Sequence, residues 1–226
     1  MLVWERPEPP KRPTPAPLSR ERIVRAAIEL ADADGLAAVS LRKVAAALGV
    51  GPMRLYGYIE SMDELHDLMV DAAHAEIRPA GEGWREVLRS FAETTRKTVH
   101  RHEWLADLLG GRPQLGPNTL ASGDAMAAGM GGIDLETAVP AMDAVHAYVI
   151  GAVRREITER RAERASGMDH KQWQRTYGPY LQRIFAKGEL PALAKFVHDG
   201  PHLDADQTFR TGLDLILDGI EARISG

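Results

Sequence analysis

Between Ser40 and Tyr58 the chain carries Arg42, Lys43 and Arg54 and no acid. Cations gathered this way suit phosphate contact, and arginine can also read the O6 and N7 edge of guanine with paired N–H groups. Ser40 fits a helix N-cap, Leu41, Val44, Ala45 and Leu48 make an apolar face, and Gly49 supplies a left-handed turn. Pro52 then opens a second short helix over about 52–58. Two short helices joined by a glycine turn make a helix-turn-helix, whose second member can enter a major groove roughly 12 Å wide. Met53, Arg54, Gly57 and Tyr58 are its expected exposed residues, with Leu55 and Ile59 as anchors. Arg42, near the start of the preceding helix, is placed to reach a phosphate, helped by that helix's free N–H groups. On geometry alone, short helices with glycine turns are common, and the reading that these polar residues merely face water is the stronger one.

Other candidates for chemistry are poorer. His100-x-His102 and His198-x-x-x-His202 have no adjacent acid completing a ligand set, so no metal is expected. The chain has no Cys, which excludes thiol catalysis, Cys-held zinc and iron–sulfur clusters. No phosphate-cradling glycine loop and no serine nucleophile elbow occurs, and neither a cofactor nor an enzyme activity is expected.

The elements that must position these residues read as helical throughout. In 226 residues, 44% hydrophobic and 27% charged, apolar spacing follows the helical period and no stretch sustains a two-residue alternation. The fold class is therefore all-α, with nine or ten helices. Residues 1–17 hold six prolines and are expected as a mobile or extended arm that buries no core. Ser19 caps the first helix, which stops near Gly35; Ser61 and Glu64 form a capping box for the one after the helix-turn-helix. Residues 18–65 are read as the helix-turn-helix domain and 66–226 as a larger helical domain. In the latter, Pro140 marks a kink or late helix start, the charged run from Arg154 to Arg164 continues that helix into solvent, Asp169 opens another helix, and Gly188 and Pro191 break the chain. The last helix runs from about Asp204 to Ile224. No run is apolar enough for a membrane span and the N-terminus has no secretory core, so a cytoplasmic protein is expected. The net charge of −4 gives no global pull toward nucleic acid, and residues 1–65 balance at nine positive and nine negative, so any such surface is local.

Leu18 to Leu68 resembles the N-terminal domain of the TetR family of transcriptional regulators. The likeness rests on Gly35, Ser40-Leu-Arg-Lys-Val-Ala45, Leu48-Gly49-Val50, Leu55-Tyr56-Gly57-Tyr58-Ile59 and the capped helix with Leu65. It implies contact with double-stranded operator DNA through Ser40, Arg42, Lys43, Met53, Arg54, Tyr56, Gly57 and Tyr58, with Tyr56 on a phosphate and Arg54 reading guanine. Two departures stand out: Met62 occupies a position where the family often has a phosphate-binding lysine, and Gly57 one where a larger side chain often meets the bases. Lys11 and Arg12 are possible further contacts.

The rest of the chain is similar, more loosely, to the family's effector-binding and dimerisation domain, through Trp104-Leu105 and the Arg112-Pro-x-Leu-Gly-Pro117 loop. The resemblance implies a homodimer and a cavity for a small-molecule effector. Cavity candidates are Trp104, Leu108, Met126, Met130, His146, Trp173, Tyr177 and Leu181; Trp173 and Tyr177, one turn apart, suit a semi-polar site. Dimer candidates are Val145, Tyr148, Phe209, Leu213, Ile216, Leu217 and Ile220, although the last-helix stripe suits a monomer core equally well. Gly212 and Gly219 favour close helix approach. The expected function is an effector-released repressor; the alternative is an effector-independent or protein-partnered DNA-binding dimer with a closed cavity.

Overall fold

The computed structural model describes residues 2–10, 17–111 and 115–225, so Lys11, Arg12 and Arg112 to Gln114 lie outside the described residues. Among those described there are only helices: ten α-helices, two 3-10 helices and no strand. The first group is α1 (Arg20–Asp34), a 3-10 turn (Leu36–Ala38), α2 (Leu41–Ala47), a second 3-10 helix (Pro52–Gly57, the reading segment) and α3 (Met62–His74). The second is α4 (Trp84–Arg101), α5 (Leu105–Leu108), α6 (Pro117–Gly129), α7 (Leu135–Ser166), α8 (His170–Phe185), α9 (Pro191–Asp199) and α10 (Ala205–Ile224).

Most starts and stops follow the side chains that can satisfy free backbone groups. Ser19 and Ser40 accept from the N–H groups of Arg22 and Lys43, both at 3.3 Å. α2 ends in a Schellman motif: Gly49, at φ +67°, donates to Ala46 O, and Val50 N reaches back to Ala45 O at 3.0 Å. Asp134 caps α7 through Thr137 N, and Asp169 and Asp204 each form a reciprocal capping box with a glutamine three residues on.

Several expectations need correction. The reading segment is a 3-10 helix, because six residues beginning at a proline and ending at a glycine leave little room for an α-helical ladder; its bonds include Arg54 N to Gly51 O. Ser61 caps α3 as expected, but the Glu64 carboxylate accepts from Glu60 N, not Ser61 N, while also holding Arg6. Pro140 lies inside α7, which starts at Leu135 under the Asp134 cap, so the late start is wrong. α9 was not anticipated: Pro191 opens a helix rather than simply breaking the chain. The charged run does extend α7 to Ser166, yet Glu156 within it is buried, held by Arg96 and His100. The arm departs most. Residues 2–10 pack on the first helices, with Val3 4% exposed, because Val3 and Trp4 bring apolar surface and Arg6 finds acidic partners.

The core of the larger group lies where α4, α7 and α10 meet. Leu88, Phe91 and Val99 face Val145, Val149 and Val153 from α7 and Phe209, Leu213 and Leu217 from α10. Five of the seven expected dimer residues are internal to one chain, and Tyr148 and Ile216 are half-buried. Val145, Phe209, Leu213, Leu217 and Ile220 are buried within one chain, Ile216 packs against them, and Tyr148 donates its hydroxyl to Phe209 O at 2.8 Å. Of the two glycines expected to bring helices together, Gly212 does: an added Cβ would sit 2.3 Å from Tyr148 Oη, whereas one at Gly219 would meet nothing.

Candidate nucleic-acid interface and effector cavity

The reading segment has two faces. Leu55 and Ile59 are fully buried against α1, α2 and α3, the apolar burial that seats so short an element. Met53 is 78% exposed and Tyr56 50%, and Arg54 and Gly57 are exposed beside them. Arg42 and Lys43, in the first turn of α2, are exposed as well, and Ser40 is occupied as its cap. Among the described residues, Arg42, Lys43 and Arg54 have no ion-pair partner, whereas Arg6, Arg85, Arg89, Arg96, Arg161 and Arg164 each hold a carboxylate. Three unneutralised cations on two adjacent elements keep their field for an external anion. Tyr58 is the exception to the expected set. It is 7% exposed and its hydroxyl donates to Leu18 O, because the segment's last turn folds back on the start of α1; its ring is therefore not available to base edges.

Helix α3 links this surface to a cavity. Its first turn is tied to the arm, and its last residue, His74, lines a cavity open to solvent on one side, of about 620 Å³, with Leu108, Leu109, Thr119, Asp143, His146 and Ile150. This volume is in the range of small-molecule sites. His74 Nδ1 lies 2.9 Å from Val70 O; burial pushes its pKa down. His146 stands at the wall 5.9 Å from the Phe91 ring, and desolvation lowers its pKa too. One turn before His74, the buried Asp71 accepts from the backbone N–H groups of Asn118 and Thr119 and from both their side chains, capping α6. Sequence reasoning missed Asp71 and His74, which look like polar interruptions of an amphipathic helix until α6 is placed against them.

Of the eight cavity candidates, Leu108 and His146 line the cavity. Trp104 is 1% exposed and donates from Nε1 to Asp32 Oδ1 at 2.7 Å, joining α1 to the second group of helices. Met126 and Met130 are core residues. Trp173 and Tyr177 stack on each other at 4.9 Å with nearly half their surface exposed, and Leu181 is partly exposed on the same helix. They do not reach the cavity of their own chain because α8 leaves the body after Gly167, and neither α8 nor α9 has a residue described as buried.

Comparison with known proteins agrees with this arrangement. Residues 23–68 match the model for bacterial regulatory proteins of the tetR family, and residues 78–224 the tetracyclin repressor-like C-terminal domain. The chain is 35% identical over 233 residues to the HTH-type transcriptional repressor DrrR1 of Streptomyces coeruleorubidus, covering 99% of this chain and 85% of that one. It is 27% identical to the class D tetracycline repressor protein of Escherichia coli, over 93% and 92% of the two chains. Among solved structures, Streptomyces coelicolor ActR in complex with actinorhodin superposes with a TM-score of 0.79 at 27% identity, covering 92% of this chain and 98% of that one. No helix of the described residues is long and apolar enough to cross a membrane. The chain belongs to the TetR family of transcription regulators and is a DNA-binding regulator, not an enzyme.

Proposed function

We propose that this regulator is a repressor that binds a palindromic operator as a homodimer and is released when a small molecule enters the cavity beside His74. The observation that carries the reading is α3 itself. A 13-residue helix, about 20 Å long at 1.5 Å per residue, has one end among the residues that seat the reading segment and the other in the cavity wall. A ligand that prefers a displaced position of His74 or of the Asp71–α6 junction changes where the reading segment stands. In a dimer, the two reading segments must enter successive major grooves roughly 34 Å apart, so a small displacement per chain is enough to lose register. A coupling of about 1–3 kcal/mol would weaken operator binding roughly 5- to 150-fold. The relatives named repressors and the ligand-bound ActR structure support both halves of the reading.

Arg42, Lys43, Met53, Arg54 and Tyr56 are the proposed DNA contacts, Arg54 reading a base edge and Arg42 and Tyr56 holding phosphates. The dimer seam is proposed on the surfaces that one chain leaves uncovered: Leu215 and Gly219 on the outer side of α10, and the aromatic side of α8 and α9, where Phe196 is 82% exposed.

The test is binding to the intergenic DNA beside the gene, by gel shift at two salt concentrations, for wild type and Arg54→Ala. Tight binding that falls steeply with salt and is lost in the variant supports the reading. Binding unchanged by the substitution would overturn the assignment of Arg54. A thermal-shift screen against small molecules then separates effector release from an effector-independent dimer, since a ligand at 100 times its Kd adds roughly 2.7 kcal/mol of stability.

A further inference from the structure

The reading segment is only six residues long, and its end is held from outside. Tyr58 O, at its C-terminus, accepts from Arg20 Nε at 3.0 Å and from Arg6 Nη2 at 3.3 Å. Arg6 also forms a paired contact with the Glu64 carboxylate at 3.0 and 2.6 Å and an ion pair with Glu60 at 2.7 Å, the two acids that flank the start of α3. Its own carbonyl accepts from Arg20 Nη1, and Glu8 Oε1 accepts from Arg20 N at the start of α1. One arginine of the arm therefore joins the end of the reading segment to both helices that carry it. Beyond this clamp the arm turns onto the exposed side: Pro9 and Pro10 line a hollow of about 300 Å³ with Met53, Arg54 and Gly57. A Cβ at Gly57 would stand 3.4 Å from Pro9 Cγ, so alanine would fit and any longer side chain directed the same way would meet the proline.

We propose that residues 2–10 are part of the DNA-reading apparatus: Arg6 is a positioning residue for the reading segment, and Pro9 takes the place on the reading surface that glycine at 57 leaves free. The inference rests on the DNA-binding reading above. It accounts for two features together, the glycine where a larger base-facing side chain could stand and an N-terminal segment that is fastened down by an ion-pair cluster. The pyrrolidine rings of Pro9 and Pro10 offer an apolar surface beside Arg54, suited to the thymine methyl group rather than to a polar base edge. Arginine is required at position 6 because a planar guanidinium can hold a carboxylate with two N–H groups while still reaching the Tyr58 carbonyl; an ammonium cannot keep that geometry.

The experiment uses the full chain as wild type, Arg6→Ala, Arg6→Lys, Gly57→Leu and the Arg6→Ala/Gly57→Leu pair. Each is exposed to a random duplex DNA library, and the enriched sequence and its affinity over a scrambled duplex of equal length are measured well below the melting temperature of every variant. Arg6→Ala is expected to lower the preference for the enriched sequence about 10-fold or more, on the scale of losing one base contact. Arg6→Lys restores little of it, since charge without the fork does not rebuild the clamp. Gly57→Leu displaces Pro9 and gives a similar loss, and the pair loses no more than either alone. A shift in the enriched sequence at one or two positions would locate the arm on the DNA. An Arg6→Ala protein that melts earlier but enriches the wild-type sequence with the wild-type ratio would overturn the proposal and leave the arm a stabilising strap. Wild type enriching no sequence would overturn the DNA-binding reading, and this inference with it.

Discussion

The apolar stripes on α10 and on α8 have the same helical spacing and opposite fates. Phe209, Leu213 and Leu217 are buried against α4 and α7, whereas Trp173, Tyr177 and Tyr180 stand about half exposed on a helix with no residue described as buried. Periodicity states which face of a helix is apolar; it does not state what covers that face. The first stripe finds its cover inside the chain because α10 runs back along α7. The second leaves the body after Gly167 and keeps its aromatic side open. Large open apolar surface of this kind marks an interaction site rather than a core.

The strongest way to break this comparison is at α10. Phe209 is 1% exposed, lies 5.8 Å from the Tyr148 ring and has the Arg96 guanidinium 4.6 Å above its own. Phe209→Ala is expected to cost about 3–5 kcal/mol in chemical denaturation at fixed protein concentration, through lost burial and a cavity in a close-packed region. A cost below about 1 kcal/mol, the range of exposed sites, would show that this stripe is not the core of the chain. Gly212→Ala comes next. Its methyl group would stand on Tyr148 Oη, and the hydroxyl that donates to Phe209 O would have to leave; about 1–3 kcal/mol of destabilisation follows. Gly219→Ala, in open space within one chain, should instead stabilise the monomeric chain slightly through helix propensity, which thermal melting of the two variants side by side, at a dilution where the chain is monomeric, will show.

What was legible in the sequence divides along the same line. Ser19, Ser40, Gly49, Asp169 and Asp204 each satisfy or release backbone groups within a few residues of themselves, and the elements they delimit lie where the spacing put them. The all-α fold and the exposed cations of the helix-turn-helix rest on such local chemistry. What was not legible depends on distant partners. Arg6 and Glu64 are 58 residues apart, Asp71 and Asn118 are 47 apart, and Trp104 finds Asp32 across 72. A proline-rich arm has the composition of a loose tail, and the burial of Val3 together with the acidic pair at the start of α3 makes residues 2–10 part of the domain. The Tyr58 ring departs from its expected exposure for a related reason. At the end of a six-residue 3-10 helix a one-residue difference in winding decides whether a ring faces solvent or folds toward α1.

The cavity offers a prediction of its own through His74. Burial lowers its pKa from the ordinary value of 6.5, and the nearby His146 pushes in the same direction while Asp71 opposes. The folded chain therefore binds a proton at His74 less readily than the unfolded chain does. This contribution is fully present above pH 6.5 and declines as pH falls through the unfolded value toward the folded one. Melting temperatures followed from pH 7.5 to 5.5 should fall in wild type and fall less in His74→Gln. The buffered carboxylates Glu64 and Asp206, which Arg6 and Arg96 hold below the usual carboxylate range, lose their contribution only at lower pH, so the two effects are separable. Equal slopes for wild type and His74→Gln would place the pH response elsewhere.

The smallest expected effect on the isolated chain sharpens the comparison most. Phe196 is 82% exposed on α9 and Leu215 69% exposed on α10, and neither has a role in the core of one chain. Phe196→Asp and Leu215→Asp should each change the stability of the monomeric chain by less than about 0.5 kcal/mol, as surface substitutions do. If a second copy covers these faces, the same substitutions put a charge into an apolar seam, and sedimentation velocity should show the dimer giving way to monomer while circular dichroism stays helical. Because an operator with two half-sites rewards only a dimer, operator binding should weaken in step with dissociation, although no DNA contact has been touched. A variant that stays dimeric would show that its residue lies outside the seam. Were Phe196→Asp dimeric and Leu215→Asp monomeric, the seam would be confined to the outer side of α10, and the aromatic face of α8 and α9 would need a different cover.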